Sequence, residues 1–250
     1  MTHFSAGMPR FYAPPGDWVS NGVLLREEEA RHATRVLRLR SGDPCEVFDG
    51  AGRSVLGRVG AKQGSGLWIE GTGEQRMDDV PSVELVLVTA IAKGRTMDWI
   101  LEKATELSVS RIVAVVTERT VVRLDGEGCM EKEVRWQRDL IEACKQCGRN
   151  RLPSLRVVRG LEEALRMTTD CGVRVFGALD DRSLRIRDVV SGGRVFGGVA
   201  AFIGPEGDFT AEEASDLRGA GVQPVGFGSL VLRMETAVVY AVSVLKEMCL

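Results

Sequence analysis

The sequence predicts an α/β protein in two parts: a small antiparallel β-barrel at the N-terminus and a larger part built on a mostly parallel sheet. From about residue 8 to residue 75, short apolar stretches alternate with Gly, Asp and Ser turns, which is typical of a small barrel. After a polar stretch at 73–81, longer apolar runs alternate with helical patterns, which is typical of parallel strands covered by helices. We therefore expect domains at 1–75 and 76–250, with residues 1–7 as a loose extension of the first.

Within the first domain the spacing predicts several short strands and a single helix. The helix should cover Glu27–Leu39, because apolar residues there recur on one helical face. On another face Arg31, Arg35 and Arg38 follow one another at i, i+4 and i+7, so their guanidinium groups should point the same way. The predicted strands are Val23–Leu25, Cys45–Phe48, Arg53–Val59 and Leu67–Gly71.

Strand and helix patterns alternate through the second domain. Val83–Ile91 is a nearly continuous apolar run, as in a strand that is buried on both faces. Thr96 can cap the helix that follows, and Thr210 with Glu213 forms a capping box that begins a later helix, which Gly221 should end. The other predicted strands are Ile112–Val116, Leu155–Val158, Val173–Leu179, Val195–Ile203 and Pro224–Phe227. The other predicted helices are Glu131–Cys147, Leu161–Met167 and Thr236–Cys249.

The composition is that of an ordinary globular protein. The chain has 250 residues, of which 44% are apolar and 27% are charged. No apolar run approaches the ~20 residues of a membrane span, and the first residues lack the basic start and apolar core of a signal peptide. We therefore expect a cytoplasmic protein with no membrane partner.

The cysteines predict neither a metal site nor a redox site. Cys144 and Cys147 have C-x-x-C spacing, but no second pair follows, and the only histidines are His3 and His32. A structural zinc site needs four ligands, and a redox pair should begin a helix after a strand, whereas this pair ends a helical pattern. We expect reduced, buried thiols and no bound metal.

Two basic clusters favour a polyanionic partner, although the net charge of the chain is −2. Either cluster alone is more simply explained as a solvated face, whereas the two together favour nucleic acid. The first cluster is Arg31, Arg35, Arg38 and Arg40, and the second is Lys145, Arg149, Arg151 and Arg156.

Two glycine-containing runs in the last fifth of the chain predict the ligand site. The runs Ile203–Thr210 and Phe227–Thr236 each follow a predicted strand and lead into a helix, which is where α/β sheets bind ligands. Neither G-x-G-x-x-G nor G-x-x-x-x-G-K-[ST] occurs in the chain, so a dinucleotide site or a P-loop is poorly supported. Arg233 lies near a helix start, where a cation is unfavourable, and this indicates a role other than helix stabilisation.

The same runs carry a resemblance to a known family. Gly204-Pro205-Glu206-Gly207 and Leu232-Arg233-Met234-Glu235-Thr236 resemble the RsmE-type uracil-N3 methyltransferases of small-subunit ribosomal RNA, in the SPOUT superfamily. The resemblance covers nearly the whole chain, and the order of its motifs makes it specific. The other matching motifs are Pro9-Arg10-Phe11-Tyr12, His32-Ala33-Thr34-Arg35-Val36-Leu37-Arg38, Lys93-Gly94, Glu102-Lys103-Ala104-Thr105-Glu106-Leu107 and Gln146-Cys147-Gly148-Arg149-Asn150. The chain departs from the family pattern at Ser108, at Leu230 and in the loop Ala178–Asp181.

The resemblance implies a PUA-like RNA-binding barrel at the N-terminus and a SPOUT domain with a deep trefoil knot at roughly 179–237. It implies that S-adenosylmethionine lies in the slot, that a homodimer forms through the knotted domain, and that 16S ribosomal RNA or the small ribosomal subunit is the partner. The residues that would bind the cofactor are Leu179, Ile203, Gly204, Glu206, Gly207, Phe227, Gly228, Leu232, Met234 and Thr236. Those that would contact RNA are Arg10, His32, Arg35, Arg38, Arg149 and Arg151.

For the chemistry we expect Arg233 and Glu235 to act on uridine. Arg233 would bind a uracil carbonyl and stabilise the charge that develops as N3 loses its proton. Glu235 would accept or orient that proton, and Glu206 is the alternative base. Three other interpretations stay open: a non-catalytic RNA-binding protein, a methyltransferase of the same superfamily that acts on another RNA, and an oxidoreductase or other nucleotide enzyme.

Overall fold

The computed structural model describes residues 7–179, 183–191 and 195–249, which fall into two compact units. The first unit comprises the described residues up to Val80 together with Ile141–Leu152. The second comprises Pro81–Leu140 and the described residues from Pro153 onward. Residues 1–6 of the predicted extension, and residues 180 and 181 of the loop that departs from the family pattern, lie outside the described residues. No helix in the described part of the chain is long and apolar enough to cross a membrane.

The first unit is built on a six-stranded sheet. Its strands are β1 (Arg10–Tyr12), β2 (Trp18–Val19), β3 (Gly22–Leu25), β4 (Pro44–Phe48), β5 (Arg53–Gln63) and β6 (Gly66–Met77). Their order is β1-β4-β5-β6-β3-β2. β1 pairs with β4 in parallel and the other neighbours pair in antiparallel, so the sheet is mixed. Its core contains Phe11, Val23, Val47 and Ile69, all nearly inaccessible to solvent.

The helix of the first unit is shorter than predicted. Helix α1 (Glu27–Arg31) continues directly into a π-helical turn at His32–Val36, and the helix ends there. Arg38 lies beyond it with a φ of 55°, in the left-handed region. The prediction that Arg31, Arg35 and Arg38 share one α-helical face is therefore wrong, because the wider π turn and the early end change the angular spacing.

The second unit is built on a parallel sheet, as predicted. Its strands are β7 (Glu84–Ala90), β8 (Arg111–Val115), β9 (Ser154–Val158), β10 (Cys171–Gly177), β11 (Gly198–Ile203) and β12 (Gln223–Val225). Their order is β12-β10-β11-β7-β8-β9, and every pair of neighbours is parallel. All six residues of β11 are buried, which explains why this strand reads as a continuous apolar run.

Helices cover both faces of the parallel sheet. They are α2 (Arg95–Glu106), the part of α3 (Gly126–Cys147) up to Leu140, α4 (Leu161–Arg166), α5 (Ile186–Val190), α6 (Ala211–Gly219) and α7 (Met234–Cys249). Alternate residues of β7 serve two separate cores: Leu85 and Leu87 belong to one, and Val86 and Val88 belong to the other. Because successive side chains of a strand point to opposite faces, this alternation means that the sheet is buried on both faces. The sequence did not predict α5.

Two of the predicted helix starts differ from the structure. Gly94 is the N-cap of α2 and no side chain caps that helix, so Thr96 lies inside it. Helix α7 begins at Met234, and the N–H of Ala237 donates to the carbonyl of Arg233 at 2.9 Å. Thr236 therefore lies in the first turn of α7 and does not cap it.

The capping box at α6 is confirmed. The Thr210 hydroxyl accepts from the N–H of Glu213 at 3.2 Å, and the Glu213 carboxylate accepts from the N–H of Thr210 at 2.9 Å. At the other end Gly221 has a φ of 80°, the left-handed conformation that glycine adopts without a steric penalty after a helix.

The serine that departs from the family pattern after α2 occupies a position suited to glycine. Ser108 has a φ of 70°, in the left-handed region that is unfavourable for a side chain. Its hydroxyl accepts from Lys246 Nζ at 3.2 Å. This hydrogen bond to α7 is a contact that glycine could not make.

The predicted burial of the C-x-x-C thiols holds for Cys144 but not for Cys147. Cys45, Cys144 and Cys171 are buried free cysteines, and Cys147 is half-buried and free. Burial raises the pKa of the Cys144 thiol to about 12, and it raises the pKa values of Cys45 and Cys171 to about 12 as well. A thiol with so high a pKa is a poor nucleophile at neutral pH.

Replacing the capping threonine should destabilise the second unit. We expect Thr210→Ala to lower the free energy of unfolding by about 1 kcal/mol, because the N–H of Glu213 loses its acceptor. Thr236→Ala is the matched control, and it should change the unfolding free energy by less than about 0.5 kcal/mol. Urea or thermal denaturation followed by circular dichroism measures both. Equal destabilisation by the two substitutions would contradict the assignment of the cap.

The C-x-x-C pair should react unequally with alkylating reagents. In the native protein at pH 8 we expect Cys144 to react with iodoacetamide at least about 100-fold more slowly than it does in denaturant, because it is buried and its thiolate fraction is very small. Peptide mass spectrometry after timed labelling measures the rates, with the half-buried Cys147 as internal reference. Native labelling of Cys144 as fast as that of Cys147 would show that the thiol is accessible.

Candidate functional site

A pocket opens at the carboxyl edge of the parallel sheet, where three strands end side by side. β10 ends at Gly177, β11 at Ile203 and β12 at Val225, and the loops that follow these strands line the pocket. Its volume is about 530 Å³, within the range of sites for small ligands. The two glycine-containing runs therefore form two walls of one pocket, as the sequence predicts.

Most of the residues that the sequence assigns to the cofactor line this pocket. Those that do are Leu179, Ile203, Gly204, Glu206, Phe227, Gly228, Leu232 and Met234. Gly207 and Thr236 are not among its lining residues. The carbonyl of Gly207 instead accepts from Arg119 Nη1 at 2.6 Å, and Thr236 is exposed in the first turn of α7.

The loop after β11 is a tight turn that favours glycine at its first position. The N–H of Asp208 donates to the carbonyl of Pro205 at 2.9 Å, which closes the turn. A Cβ on Gly204 would lie 3.1 Å from the backbone nitrogen of Phe209 and 3.2 Å from an Asp208 carboxylate oxygen. Asp208 has a φ of 61°, and its carboxylate accepts from the N–H of Phe209 at 2.8 Å. This turn holds Glu206 and Asp208 at the pocket.

The loops after β10 and β12 approach each other closely around an aromatic ring. A Cβ on Gly177 would lie 2.8 Å from the Phe227 ring, so the absence of a side chain there leaves room for the ring. The ring also packs on Tyr240, with centroids 5.4 Å apart. With Leu232 it gives the pocket the apolar side chains that flat heterocycles prefer.

A third stretch of chain reaches the pocket from the residues before α5. Leu184 pairs with Val225, and the N–H of Gly226 donates to the carbonyl of Leu184 at 2.9 Å. This pairing brings Ser183 and Arg185 into the pocket lining. Neither residue could be predicted from the sequence, because neither belongs to a glycine motif or to a predicted element.

The charged groups of the pocket are few. Among the residues that the structure describes, the charged side chains that line it are Arg185, Glu206 and Asp208. Arg185 is the N-cap residue of α5 and is exposed. Within its described lining the pocket thus presents one cation and two carboxylates among neutral residues.

The predicted catalytic pair lies beside the pocket. Leu232 and Met234 line it, whereas Arg233 and Glu235, which alternate with them, do not. Arg233 is exposed and Glu235 is half-buried. Neither side chain has an ion pair within the described ranges, so both charges are available to a ligand.

Arg10, predicted to contact RNA, is buried in the first unit. It is 5% exposed, and its guanidinium donates to the side chain of Asn150 and to the carbonyl of Cys144 and pairs with Glu46 at 3.1 Å. Burial lowers the pKa of Arg10, and the negative charge of Glu46 partly offsets this decrease. A guanidinium enclosed in this way holds the first unit together rather than facing a phosphate.

His32 also belongs to a partly buried polar network. Lys145 Nζ lies 3.0 Å from a Glu29 oxygen, 2.8 Å from a Glu142 oxygen and 3.1 Å from His32 Nδ1. Burial raises the pKa of Glu29 despite the nearby ammonium. The ligand atoms of Glu29, His32 and Glu142 lie within 4.8 Å of one another, but the Lys145 ammonium already supplies a positive charge among them.

The second basic cluster is also largely partnered. Arg151 donates to the carbonyls of Asp78 and Asp79 at 3.0 and 3.2 Å. Burial lowers the pKa of Arg149, which is only partly exposed. This cluster therefore offers fewer free guanidinium groups than the sequence suggests.

Exposed cations in the first unit surround a second cavity. Its volume is about 290 Å³, and Arg31, Arg35 and Lys62 line it together with the hydroxyl-bearing Thr34 and Ser65. No acidic side chain is among its described lining residues. Arg38 is exposed as well.

Comparisons with known proteins agree on one family. A family model described as an RNA methyltransferase domain matches residues 79–246, and one described as an RNA methyltransferase PUA domain matches residues 25–70. A Bacillus subtilis protein named ribosomal RNA small subunit methyltransferase E is 30% identical over 86% of this chain and 86% of its own length.

Two solved structures are also similar over nearly the whole chain. One is a ribosomal RNA small subunit methyltransferase E from Neisseria gonorrhoeae bound to S-adenosyl methionine, with 31% identity and a TM-score of 0.83, covering 96% of this chain and 97% of its own. The other is a methyltransferase from Legionella pneumophila in complex with the cofactor SAM, with 30% identity, a TM-score of 0.85 and the same coverage.

Proposed function

Since this chain belongs to the ribosomal RNA small subunit methyltransferase E family, we propose that it transfers a methyl group from S-adenosylmethionine to N3 of a uridine in small-subunit ribosomal RNA. The observation that carries the proposal is the pocket at the joint carboxyl ends of β10, β11 and β12, lined by both family motifs. The reaction would take place in the cytoplasm, where the chain would meet 16S ribosomal RNA or the small ribosomal subunit.

The residues of the pocket fit S-adenosylmethionine. Phe227 and Leu232 offer apolar surfaces for the adenine, and Gly204 and Gly228 expose backbone groups that can hydrogen-bond to its edge and to the ribose. The cofactor carries no phosphate, which agrees with the absence of a phosphate-binding motif. When bound, it supplies an electrophilic methyl group on a sulfonium.

The chemistry of the acceptor assigns roles to the charges beside the pocket. N3 of uridine carries an imide proton and is a poor nucleophile at neutral pH. Arg233 would bind a uracil carbonyl and stabilise the negative charge that develops as the proton leaves. Glu235 would accept or orient the proton, and Glu206, which lines the pocket, is the alternative acceptor. Alignment of the acceptor with the methyl group would supply much of the acceleration.

We also propose that the chain between roughly 179 and 237 forms the trefoil knot of SPOUT proteins. The pairing of Val225 supports this. On one edge Val225 pairs with Gly177 of β10, and it also pairs with Leu184, which follows β10 in the chain. A strand residue has two hydrogen-bonding edges, so β12 runs between β10 and the segment that leaves β10, as threading requires.

A homodimer through the same unit is proposed on the strength of exposed apolar side chains. Leu230 and Val231 are 75% and 78% exposed, and Leu179 and Tyr240 are exposed nearby in the pocket region. Such a patch on a soluble protein marks a contact surface. A second copy that covers it would also enclose the pocket.

The first unit would bind the RNA as a PUA-like barrel, with the proposed domain boundary near residue 75. The exposed Arg35 and Arg38, together with Arg31 and Lys62 around the second cavity, are the cations best placed to meet phosphates. Arg10, His32 and Arg151 would contribute indirectly, because their side chains are held in networks within the unit.

The proposal is tested by transfer of a labelled methyl group from S-adenosylmethionine to unmodified small ribosomal subunits and to naked 16S ribosomal RNA. Mapping of the modified base should place the label on N3 of a uridine. Binding of the RNA without transfer would instead support the non-catalytic interpretation, and transfer to another RNA would support a different member of the superfamily.

Substitutions of the catalytic pair sharpen that test. We expect Arg233→Ala and Glu235→Gln each to lower kcat about 100- to 1000-fold, because each removes a charge that acts on the transition state. S-adenosylmethionine affinity, measured by calorimetry, should change less than about twofold, since neither side chain lines the pocket. Glu212→Gln, in the first turn of α6, is the control. Full methyl transfer by Arg233→Ala would refute its assigned role.

RNA binding should depend on the cations around the second cavity. We expect Arg35→Ala and Lys62→Ala each to weaken binding of small-subunit RNA and to lower the slope of log affinity against log salt by about one. Arg26→Ala is the control, because Arg26 donates to Asp17 at 2.7 Å and is already neutralised. Filter binding at salt concentrations from about 50 to about 300 mM would measure the slopes, because counterion release dominates the salt dependence in this range. Unchanged slopes in both variants would place the RNA elsewhere.

A further inference from the structure

Arg185 is a residue of the pocket that neither motif of the family contains. It is the N-cap residue of α5, and its position is fixed by the adjacent pairing of Leu184 with Val225. Its side chain is exposed and forms no ion pair within the described ranges. The guanidinium is therefore free to bind a ligand that occupies the pocket.

The charges of the described pocket lining are complementary to those of S-adenosylmethionine. S-adenosylmethionine carries one carboxylate and two cationic groups, the sulfonium and the ammonium. The described lining carries one cation, Arg185, and two carboxylates, Glu206 and Asp208. Each charged group of the ligand would thus have a partner of opposite sign in the pocket.

We propose that Arg185 binds the carboxylate of the methionine part of S-adenosylmethionine. The guanidinium presents parallel N–H donors that match a carboxylate in a bidentate pair. Glu206 and Asp208 are the other charged side chains of the described lining, and an ionised carboxylate accepts hydrogen bonds but cannot donate one. The carboxylate therefore belongs at Arg185, and the cationic groups belong on the side of the turn after β11. This inference rests on the proposed S-adenosylmethionine site and assigns one of its contacts.

The Asp208 carboxylate is held for this arrangement by the turn itself. One of its oxygens accepts from the N–H of Phe209 at 2.8 Å. That hydrogen bond leaves further lone pairs of the carboxylate free for a cation. Because Asp208 is anchored on the loop after β11 and Arg185 lies before α5, positive and negative charges are supplied by different loops of the same pocket.

The test compares S-adenosylmethionine with decarboxylated S-adenosylmethionine, which lacks only the carboxylate. Calorimetry gives the Kd of both ligands for the wild type, Arg185→Ala, Arg185→Lys and the control Arg187→Ala, whose guanidinium lies 3.7 Å from Asp188 and outside the pocket lining. For Arg185→Ala we expect S-adenosylmethionine to bind about tenfold more weakly. The affinity for the decarboxylated ligand should stay within about twofold. Arg185→Lys should recover part of the loss, and Arg187→Ala should behave as the wild type.

The ratio of the two affinities distinguishes loss of the contact between Arg185 and the carboxylate from a general disturbance of the pocket, which would weaken both ligands. Equal weakening of both ligands by Arg185→Ala, or no weakening of either, overturns the inference while leaving the methyltransferase proposal intact. A loss of RNA affinity with an unchanged Kd for S-adenosylmethionine also overturns it and assigns Arg185 to the RNA. Failure of the wild type to bind S-adenosylmethionine would overturn the proposed function itself. If Arg185→Ala does not fold, the ratio of the two affinities in Arg185→Lys is compared with the same ratio in the wild type.

Discussion

The pairing of β11 with β7 on one side and with β10 on the other is the constraint on which the candidate site depends. Every residue of β11 is buried, so its backbone groups have no water to bind and must pair with both neighbours. Parallel strands in register end at the same edge of a sheet. The loops that follow Gly177 and Ile203 therefore emerge next to each other, and a pocket between them follows from the ladder of hydrogen bonds rather than from any single side chain.

In the first unit, buried charges replace part of the apolar core. Arg10 with Glu46, and Lys145 with Glu29, are ion pairs with little solvent exposure. The attraction within such a pair must offset the loss of hydration of two charges, so removing one partner is far more damaging than removing both. The pair of Lys145 with Glu29, together with the hydrogen bonds from Arg10 to Cys144 and Asn150, joins residues near the N-terminus to the segment 141–152. These contacts explain why so distant a segment belongs to this unit.

The sequence predicted what is local and periodic, and it missed what depends on distant partners. Local patterns predicted the strand at Val83–Ile91, the capping box at Thr210 and the two glycine-containing walls of the pocket. Each of these features is encoded within a few consecutive residues. The burial of Arg10 was not, since its partner Asn150 is 140 positions away. Arg185 reaches the pocket because Leu184 pairs with Val225, and no local pattern encodes that pairing. Helix α5 has only five residues and no side-chain cap, so it left no periodic signal.

The pairing of Leu184 with Val225 also protects the sheet. β12 is the last strand on its side of the sheet and has only three residues. An edge strand with free N–H and C=O groups is a template on which a strand of another molecule can add. Here Leu184 pairs with Val225, and the N–H of Gly226 donates to the carbonyl of Leu184, so backbone groups at this edge are already paired. The segment that helps to build the pocket thus also closes a sheet edge that could otherwise nucleate aggregation.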